Sequence, residues 1–208
     1  MATGLARLLA CTPRNVRGFE QVSSSERFLY THRSGKWAAF YAPSAQQAQL
    51  AFFDRYLRQR DATPLPRGRL EVRESRDQIV EVREESSWPL ARTRWTPLYL
   101  TDSGLSTQPA KGVGSMAFDT ASHGVRFGWN VPADTELTGP MALRLFVEMS
   151  GADDVDLIVG VEKWRGKDYV PFEGSYGFGR DRVTTGWQRL HFVPSIPPAL
   201  DPSTRCPH

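Results

Sequence analysis

The sequence has 208 residues, which is room for one large domain or for one domain with part of another. Hydrophobic residues make up 40% and charged residues 24% of the chain, as is usual for a soluble globular protein. The net charge is +3, from 26 basic and 23 acidic residues, and the two signs alternate along residues 67–85, so no basic patch of the nucleic-acid-binding kind stands out. We therefore expect no nucleic-acid partner.

The N-terminus carries a short apolar stretch, Leu8 to Cys11, that superficially looks like a bacterial lipoprotein cleavage box. The apolar run before Cys11 is short, is interrupted by Arg7 and lacks a basic leader, so we do not interpret it as a signal. No later stretch reaches the length of a membrane span. We therefore expect a soluble, cytoplasmic protein without membrane contact. In that compartment Cys11 and Cys206 are expected to be free thiols, with a disulfide between them as the alternative.

Residues 28–60 predict a strand, a loop and a helix. Phe28 to Tyr30 is a short apolar run suited to a buried strand, and residues 31–35 are the polar loop that follows it. Pro43 or Ser44 opens the helix, because proline is tolerated in a first turn. One apolar line along this helix is broad enough to bury it against a sheet, and it consists of Ala45, Ala48, Phe52 and Tyr56. Such a unit is typical of the end of an α/β domain.

A break follows at residues 63–68, which read TPLPRG, and we place a domain boundary there, between residues 1–62 and 63–208. Beyond the boundary the apolar residues recur with a period of two, no helical pattern appears, and turn residues are frequent. This pattern predicts a β-sandwich or jelly roll. The strand candidates are Leu70–Val72, Ile79–Val82, Trp95–Thr101, Gly114–Asp119, Leu137–Met149, Val155–Trp164 and Trp187–Val193.

The clearest alternation runs through the middle of this region. Apolar residues occupy every second position from Leu143 to Val147 and again from Val155 to Val161. A polar loop with Gly151, where a positive φ is expected, separates the two runs. We expect two long strands with one buried face each, lying as neighbours at the centre of an antiparallel sheet.

Four segments of the chain resemble the C-terminal part of the CocE/NonD family, which includes cocaine-esterase-like acyl hydrolases and X-Pro dipeptidyl-peptidases. They are FLYTHRSGKWAAFY, AQLAFFDRYL, RLEVRESRDQIVEVREESSWPLARTRWTPLYL and DTELTGPMALRLFVEMSGADDVDLIVGVEKW. The resemblance runs nearly continuously from about Arg17 to about His191. It implies a mainly β fold: a C-terminal jelly-roll β-sandwich of the galactose-binding-like kind, preceded by a strand–loop–helix remnant of an α/β-hydrolase domain.

The resemblance also implies a Ser-Asp-His triad, of which only the histidine, His32, has a counterpart here. The sequence has no G-x-S-x-G, since residues 112–116 and 173–177 have the wrong spacing and no helix is predicted after them. The acid is expected shortly before Arg17, yet residues 1–15 contain neither Asp nor Glu. A histidine base needs a nucleophile to deprotonate and a carboxylate to orient it. We therefore expect the C-terminal portion of a serine hydrolase for ester or X-Pro peptide bonds, inactive alone.

Other residues offer weaker alternatives, and we expect no cofactor and no metal. His123 and His191 lack a second ligand at metal spacing, and the aspartates from Asp153 to Asp156 lack the glycine and glutamate of an EF-hand, so both sets are expected to be structural or solvated. The glycine-rich loop at residues 174–179 lacks the lysine of a P-loop. Five tryptophans are expected in the core, with a sugar-stacking groove as the alternative: Trp88, Trp95, Trp129, Trp164 and Trp187.

The C-terminal residues 194–208 are rich in proline and are not expected to form a central strand. Family members continue with further strands at this point, so we expect a sandwich truncated at its C-terminus. Such a sandwich would expose strand edges and favour self-association. A separately encoded upstream hydrolase half is the expected partner. The alternative function is a non-catalytic β-sandwich binding module.

Overall fold

The computed structural model describes residues 2–8, 14–32, 36–60, 67–112, 114–121, 124–151, 154–172 and 181–191. The chain divides into two compact units. The first unit comprises Met1–Pro89 with Pro140–His208, and the second unit comprises Leu90–Gly139. The boundary predicted at residues 63–68 falls largely outside the described residues and stays a prediction.

The described residues are mainly strand with few helices, which confirms the predicted mainly β character. The helices are α1 (Arg14–Gln21), α2 (Lys36–Phe40) and α3 (Pro43–Tyr56). The strands are β1 (Ala2–Leu8), β2 (Leu29–Tyr30), β3 (Gly68–Ser75), β4 (Gln78–Glu85), β5 (Tyr99–Thr101), β6 (Gly104–Ser106), β7 (Leu143–Met149), β8 (Asp154–Val161), β9 (Lys163–Arg165), β10 (Asp168–Val170) and β11 (Thr184–His191).

Helix α3 begins as predicted. Ala42 precedes it in an extended conformation, and Pro43 occupies its first turn, where the missing N–H costs nothing. The helix ends at Tyr56, and a salt bridge of 3.0 Å joins Arg58 to Asp54 one turn earlier. None of the helices in the described part of the chain is long and apolar enough to cross a membrane. Helices α1 and α2 were missed by the sequence analysis.

In the first unit, strands β2, β3 and β4 form a three-stranded sheet in that order, with β2 parallel to β3 and β3 antiparallel to β4. Three antiparallel pairs accompany it: β1 with β7, β8 with β11, and β9 with β10. Strand β1 was missed by the sequence analysis.

The predicted pairing of β7 with β8 is wrong, because each forms its ladder with a different strand. Gly151 between them has the expected positive φ, 87°. The predicted faces are nevertheless confirmed, since Leu143, Leu145 and Val147 are half-buried whereas the residues between them are exposed. Alternation in a sequence fixes which face of a strand is apolar, but it does not identify the strand that pairs with it.

The second unit contains one described hairpin, β5 with β6. Gly104 in its turn has φ 124°, and a Cβ at this position would lie 2.4 Å from the carbonyl oxygen of Gly128. The Leu105 N–H donates to that same oxygen at 2.7 Å. Residues 114–119 were predicted to form a strand, but they do not form one. No described strand pairs with this segment, and its residues Met116 and Phe118 are exposed.

The buried apolar residues of the first unit lie on strands β2 and β3 and on helices α2 and α3. They are Leu29, Ala39, Ala45 and Leu70, each less than 9% exposed. Of the residues in the apolar line predicted along α3, only Ala45 is buried. Phe52 and Tyr56 are 40% and 37% exposed.

Candidate functional site

Strand β2 ends at Tyr30, two residues before His32, the one residue of the predicted triad that the sequence contains. The strand is short because its apolar run is short, and Leu29 anchors it in the core. The Leu29 N–H donates to the Arg67 carbonyl oxygen at 2.8 Å, and the Thr31 N–H donates to the Arg69 carbonyl oxygen at 2.9 Å. The backbone is thus held in the sheet up to the residue that precedes His32.

Thr31 is bonded to β3 through every polar group that it has. Besides the N–H bond, its hydroxyl donates to the Arg69 carbonyl oxygen at 3.2 Å and accepts the Glu71 N–H at 3.2 Å. Its carbonyl oxygen accepts a hydrogen bond from Arg69 Nη1 at 3.4 Å. Four hydrogen bonds therefore fix this one residue on the neighbouring strand.

A row of charged side chains on β3 supports these bonds. Glu71 accepts hydrogen bonds from Arg69 Nη1 at 3.1 Å and from Arg73 Nη2 at 2.6 Å, and the side chains of Glu71 and Arg73 are only 8% and 4% exposed. Burial would raise the pKa of Glu71, but the hydrogen bonds and charges of Arg73 and Arg69 outweigh it, so the pKa lies below its usual value. Glu71 is therefore ionised at neutral pH.

The Arg69 guanidinium is also stacked on an aromatic ring. Its Cζ lies 4.5 Å from the ring centroid of Tyr30, a distance typical of a cation–π contact. The Tyr30 hydroxyl is in turn 3.2 Å from Ser44 Oγ, in the first turn of α3. These contacts join strand β3, strand β2 and helix α3 around the point where the chain leaves the sheet.

A groove of about 440 Å³ opens beside this junction. Its walls are mostly apolar, and His32, Gln49 and Arg69 supply the polar side chains. The apolar lining consists of Phe28, Leu29, Tyr30, Ala39, Phe40, Ala45, Ala48, Phe52 and Phe53. His32 is thus an exposed side chain on the wall of an apolar groove, in the first unit.

Aromatic rings from β2 and α3 form one end of this region. The Phe28 ring meets the Phe52 ring edge to face, with centroids 6.2 Å apart, and Phe52 and Tyr56 lie 4.7 Å apart. The Tyr56 hydroxyl donates to Glu26 at 2.5 Å, and this hydrogen bond, followed by burial, raises the pKa of Tyr56. Arg27 binds the carbonyl oxygens of Phe19, Glu20 and Val22 at the end of α1.

The other residues singled out from the sequence do not gather at the groove. Asp156 on β8 forms a salt bridge with Arg189 on β11, 2.8 Å long, and Asp154 lies opposite His191 in the same ladder. Among the described residues no group of three or more His, Cys, Asp and Glu could hold a metal ion. Several predicted sites lie outside the described residues: Cys11, His123, Asp153, residues 174–179 and Cys206.

The expectation that the tryptophans lie in the core is wrong for three of them. Trp95, Trp164 and Trp187 are 67%, 43% and 65% exposed, whereas Trp88 and Trp129 are half-buried. Trp187 stands on the outer face of its ribbon, directly opposite Ile158. A regular strand buries only one of its faces in such a ribbon, so a large side chain on the other face is exposed.

The sequence analysis missed Thr31, Arg69 and Glu71 as contributors to the site. Their signal was present in residues 69–73, RLEVR, where charges at alternate positions share one face of a strand. Alternating charge is usually a solvated face, and the residues that Arg69 and Glu71 contact here, Tyr30 and Thr31, lie far away in the sequence.

A sequence model of the family described as the X-Pro dipeptidyl-peptidase C-terminal non-catalytic domain matches residues 61–195, more than half of the chain. The chain is similar to a crystal structure of a CocE/NonD family hydrolase from Staphylococcus aureus, with 31% identity and a TM-score of 0.75 over 83% of this chain. A second crystal structure of a CocE/NonD hydrolase from that organism is similar at 23% identity, with a TM-score of 0.61 over 84% of this chain. In both comparisons the chain spans 32% of the length of the hydrolase. No curated protein matches the chain.

Proposed function

The chain belongs to the C-terminal part of the CocE/NonD hydrolase family, and we propose that it works as the C-terminal portion of a serine hydrolase that cleaves ester or X-Pro peptide bonds. In this proposal residues 63–208 are a jelly-roll domain, residues 1–62 complete an α/β-hydrolase domain, and His32 is the general base. The observation that carries it is the place of His32, which lies in a segment that resembles the family, directly after a strand held in a sheet, on the wall of a groove.

His32 can act only together with groups that this chain does not supply. As a general base it would take the proton of a serine Oγ and later return it to the leaving group, while a carboxylate holds the imidazole. The serine, the carboxylate and the oxyanion hole would come from polypeptide equivalent to the remaining two thirds of the staphylococcal hydrolase. The chain alone is therefore expected to be inactive, since loss of triad members costs on the order of 10⁴–10⁶ in rate.

The exposed face of α3 supports the proposal that such polypeptide packs here. Phe53 and Leu57 are 51% and 74% exposed, and with Phe52 and Tyr56 they continue the apolar wall of the groove. A contiguous apolar surface of this kind is uncommon on a monomer unless something binds it. The proposed partner is a separately encoded hydrolase half, which would bury this face and place its serine near His32.

The test is to mix or fuse the full chain with the part of the staphylococcal hydrolase that it does not match. We expect hydrolysis of acyl esters or X-Pro-nitroanilides only when both parts are present. His32→Ala should abolish the activity while size-exclusion chromatography still shows the complex. His191→Ala, on β11, is the matched control and should retain most of the activity. An assembly that hydrolyses substrate equally well with His32→Ala would show that the catalytic assignment is wrong.

A second candidate function, a non-catalytic binding module, rests on a different observation. Trp187 and Ile158 lie opposite each other on β11 and β8 and are 65% and 72% exposed, beside the Arg189–Asp156 pair. An exposed tryptophan next to charged hydrogen-bonding groups suits a sugar ring. A glycan-array signal that Trp187→Ala removes would favour this function, and a blank array would count against it.

A further inference from the structure

The four hydrogen bonds of Thr31 show how the chain leaves the sheet just before His32. If β2 continued in a parallel ladder, the Glu71 N–H would bond the Thr31 carbonyl oxygen. Instead the Thr31 hydroxyl accepts that N–H at 3.2 Å, and the carbonyl oxygen turns to Arg69 Nη1. The hydroxyl therefore takes the place of a backbone acceptor, which lets the chain leave the sheet without stranding the Glu71 N–H.

The groups that hold Thr31 are themselves held. The Arg69 guanidinium is bonded to Glu71 and stacked on the Tyr30 ring, and Glu71 is bonded to the buried Arg73. All three charged residues lie within residues 61–195, the part that matches the family described as a non-catalytic domain. The support for the residue before His32 thus comes from this domain and not from the strand–loop–helix segment alone.

We propose that Thr31 is a positioning residue for His32, and that β3 of the matched domain fixes the histidine through it. The inference rests on the proposed function of His32 as a base. Consecutive Cα atoms are about 3.8 Å apart, so a fixed Thr31 sets the origin of the His32 side chain. A misplacement of about 1 Å at a reacting group can cost on the order of 100-fold in rate. A domain described as non-catalytic would in this way contribute directly to catalytic geometry.

The first arm of the test uses the full chain by itself and measures backbone ¹⁵N relaxation at the His32 amide. The wild-type order parameter is expected near that of rigid backbone, about 0.85, and Thr31→Val should lower it below about 0.6. Valine keeps the shape of threonine but leaves the Glu71 N–H without its acceptor. Thr31→Ser should restore the wild-type value. Thr135→Val is the matched control, because that hydroxyl bonds only the Ala133 carbonyl oxygen in its own loop.

The second arm uses the chain assembled with the staphylococcal hydrolase part. Thr31→Val should lower kcat about 10- to 100-fold with KM unchanged within about twofold, and Thr31→Ser should recover most of kcat. If Thr31 mattered only for stability, its substitution would change the melting temperature and the amount of active assembly but not kcat per active site. Active sites are therefore titrated with a serine-directed phosphonate, so that kcat is expressed per active site.

The outcomes separate the inference from the function on which it rests. If His32→Ala leaves activity intact, the proposed function is wrong. If His32→Ala abolishes activity but Thr31→Val keeps full kcat, only the positioning role is overturned. The positioning role is also overturned if the His32 amide is already mobile in the wild type, or if Thr31→Val leaves its order parameter unchanged. If Thr31→Val fails to fold, Arg69→Lys is used instead, because it removes the guanidinium hydrogen bond to the Thr31 carbonyl oxygen. An unchanged order parameter of the His32 amide in Arg69→Lys would contradict the inference.

Discussion

Two regions of the first unit have apolar sequence patterns of similar strength, but the apolar residues of the two regions are buried to different degrees. At the junction of β2, β3 and α3, Leu29, Leu70 and Ala45 are 7%, 6% and 7% exposed. In the ribbon of β8 and β11 the apolar inner residues of β8 are only half-buried, and Trp187 and Ile158 on the outer face are well exposed. The junction has helices packed on a sheet, whereas the ribbon is a pair of strands. An apolar pattern becomes a core only where a second layer covers it.

The largest effect expected from this comparison is a truncation in the junction. Leu70→Ala should lower the free energy of unfolding by about 2–5 kcal/mol, because the Leu70 side chain on β3 is buried and its truncation leaves a cavity. Ile158→Ala, at an exposed position of the ribbon, is the matched control and should change it by less than about 0.5 kcal/mol. Urea unfolding followed by circular dichroism measures both. Equal costs for the two substitutions would show that the regions do not differ in packing.

A smaller effect is expected from the charged row that borders the junction. Glu71→Gln should lower the free energy of unfolding by about 1–3 kcal/mol, since Arg73 stays buried without its ionised partner while the amide retains one acceptor. Glu81→Gln on β4 is the control, because Glu81 is 55% exposed in its salt bridge with Arg83. That substitution should have little effect, as is usual for surface pairs.

The same carboxylate predicts a dependence on pH. The folded-state pKa of Glu71 lies below its ordinary value of 4.5, so its ionised form stabilises the fold fully above about pH 4.5. That contribution is lost as the pH falls through the lowered folded-state pKa. Unfolding measured across this acidic range should therefore show a slope that is smaller in Glu71→Gln. A variant with the wild-type slope would assign the dependence to other carboxylates.

The sequence predicted much of the junction because its signals are local. The run Phe28 to Tyr30 predicted β2, Pro43 marked the start of α3, and the resemblance identified His32. The hydrogen bonds of Thr31 to Arg69 and Glu71 could not be predicted, because a parallel pairing joins segments that are 38 to 40 residues apart. No local pattern specifies which distant strand completes a ladder.

For the ribbons, the sequence predicted the faces of the strands and not their partners. The apolar positions of β7 and β8 were identified correctly, but β7 pairs with β1, a strand without a clear period of two, and β8 pairs with β11. The exposed tryptophans were misassigned for a related reason. Aromatic residues in regular strands are usually buried, and only the arrangement of layers decides on which side a given strand is covered.

The smallest effect on stability, and the last prediction, concerns the outer face of the β8–β11 ribbon. Trp187 and Ile158 form an exposed apolar pair there, and such a surface favours association with another copy. Trp187→Lys should leave the melting temperature almost unchanged and reduce self-association in sedimentation velocity at tens of micromolar protein, because a charge on this face opposes its burial. Trp95→Lys, in the second unit and 67% exposed, is the matched control and should not change the association. If both substitutions reduce association equally, general hydrophobicity drives it; if neither does, the chain associates through another surface, such as a strand edge.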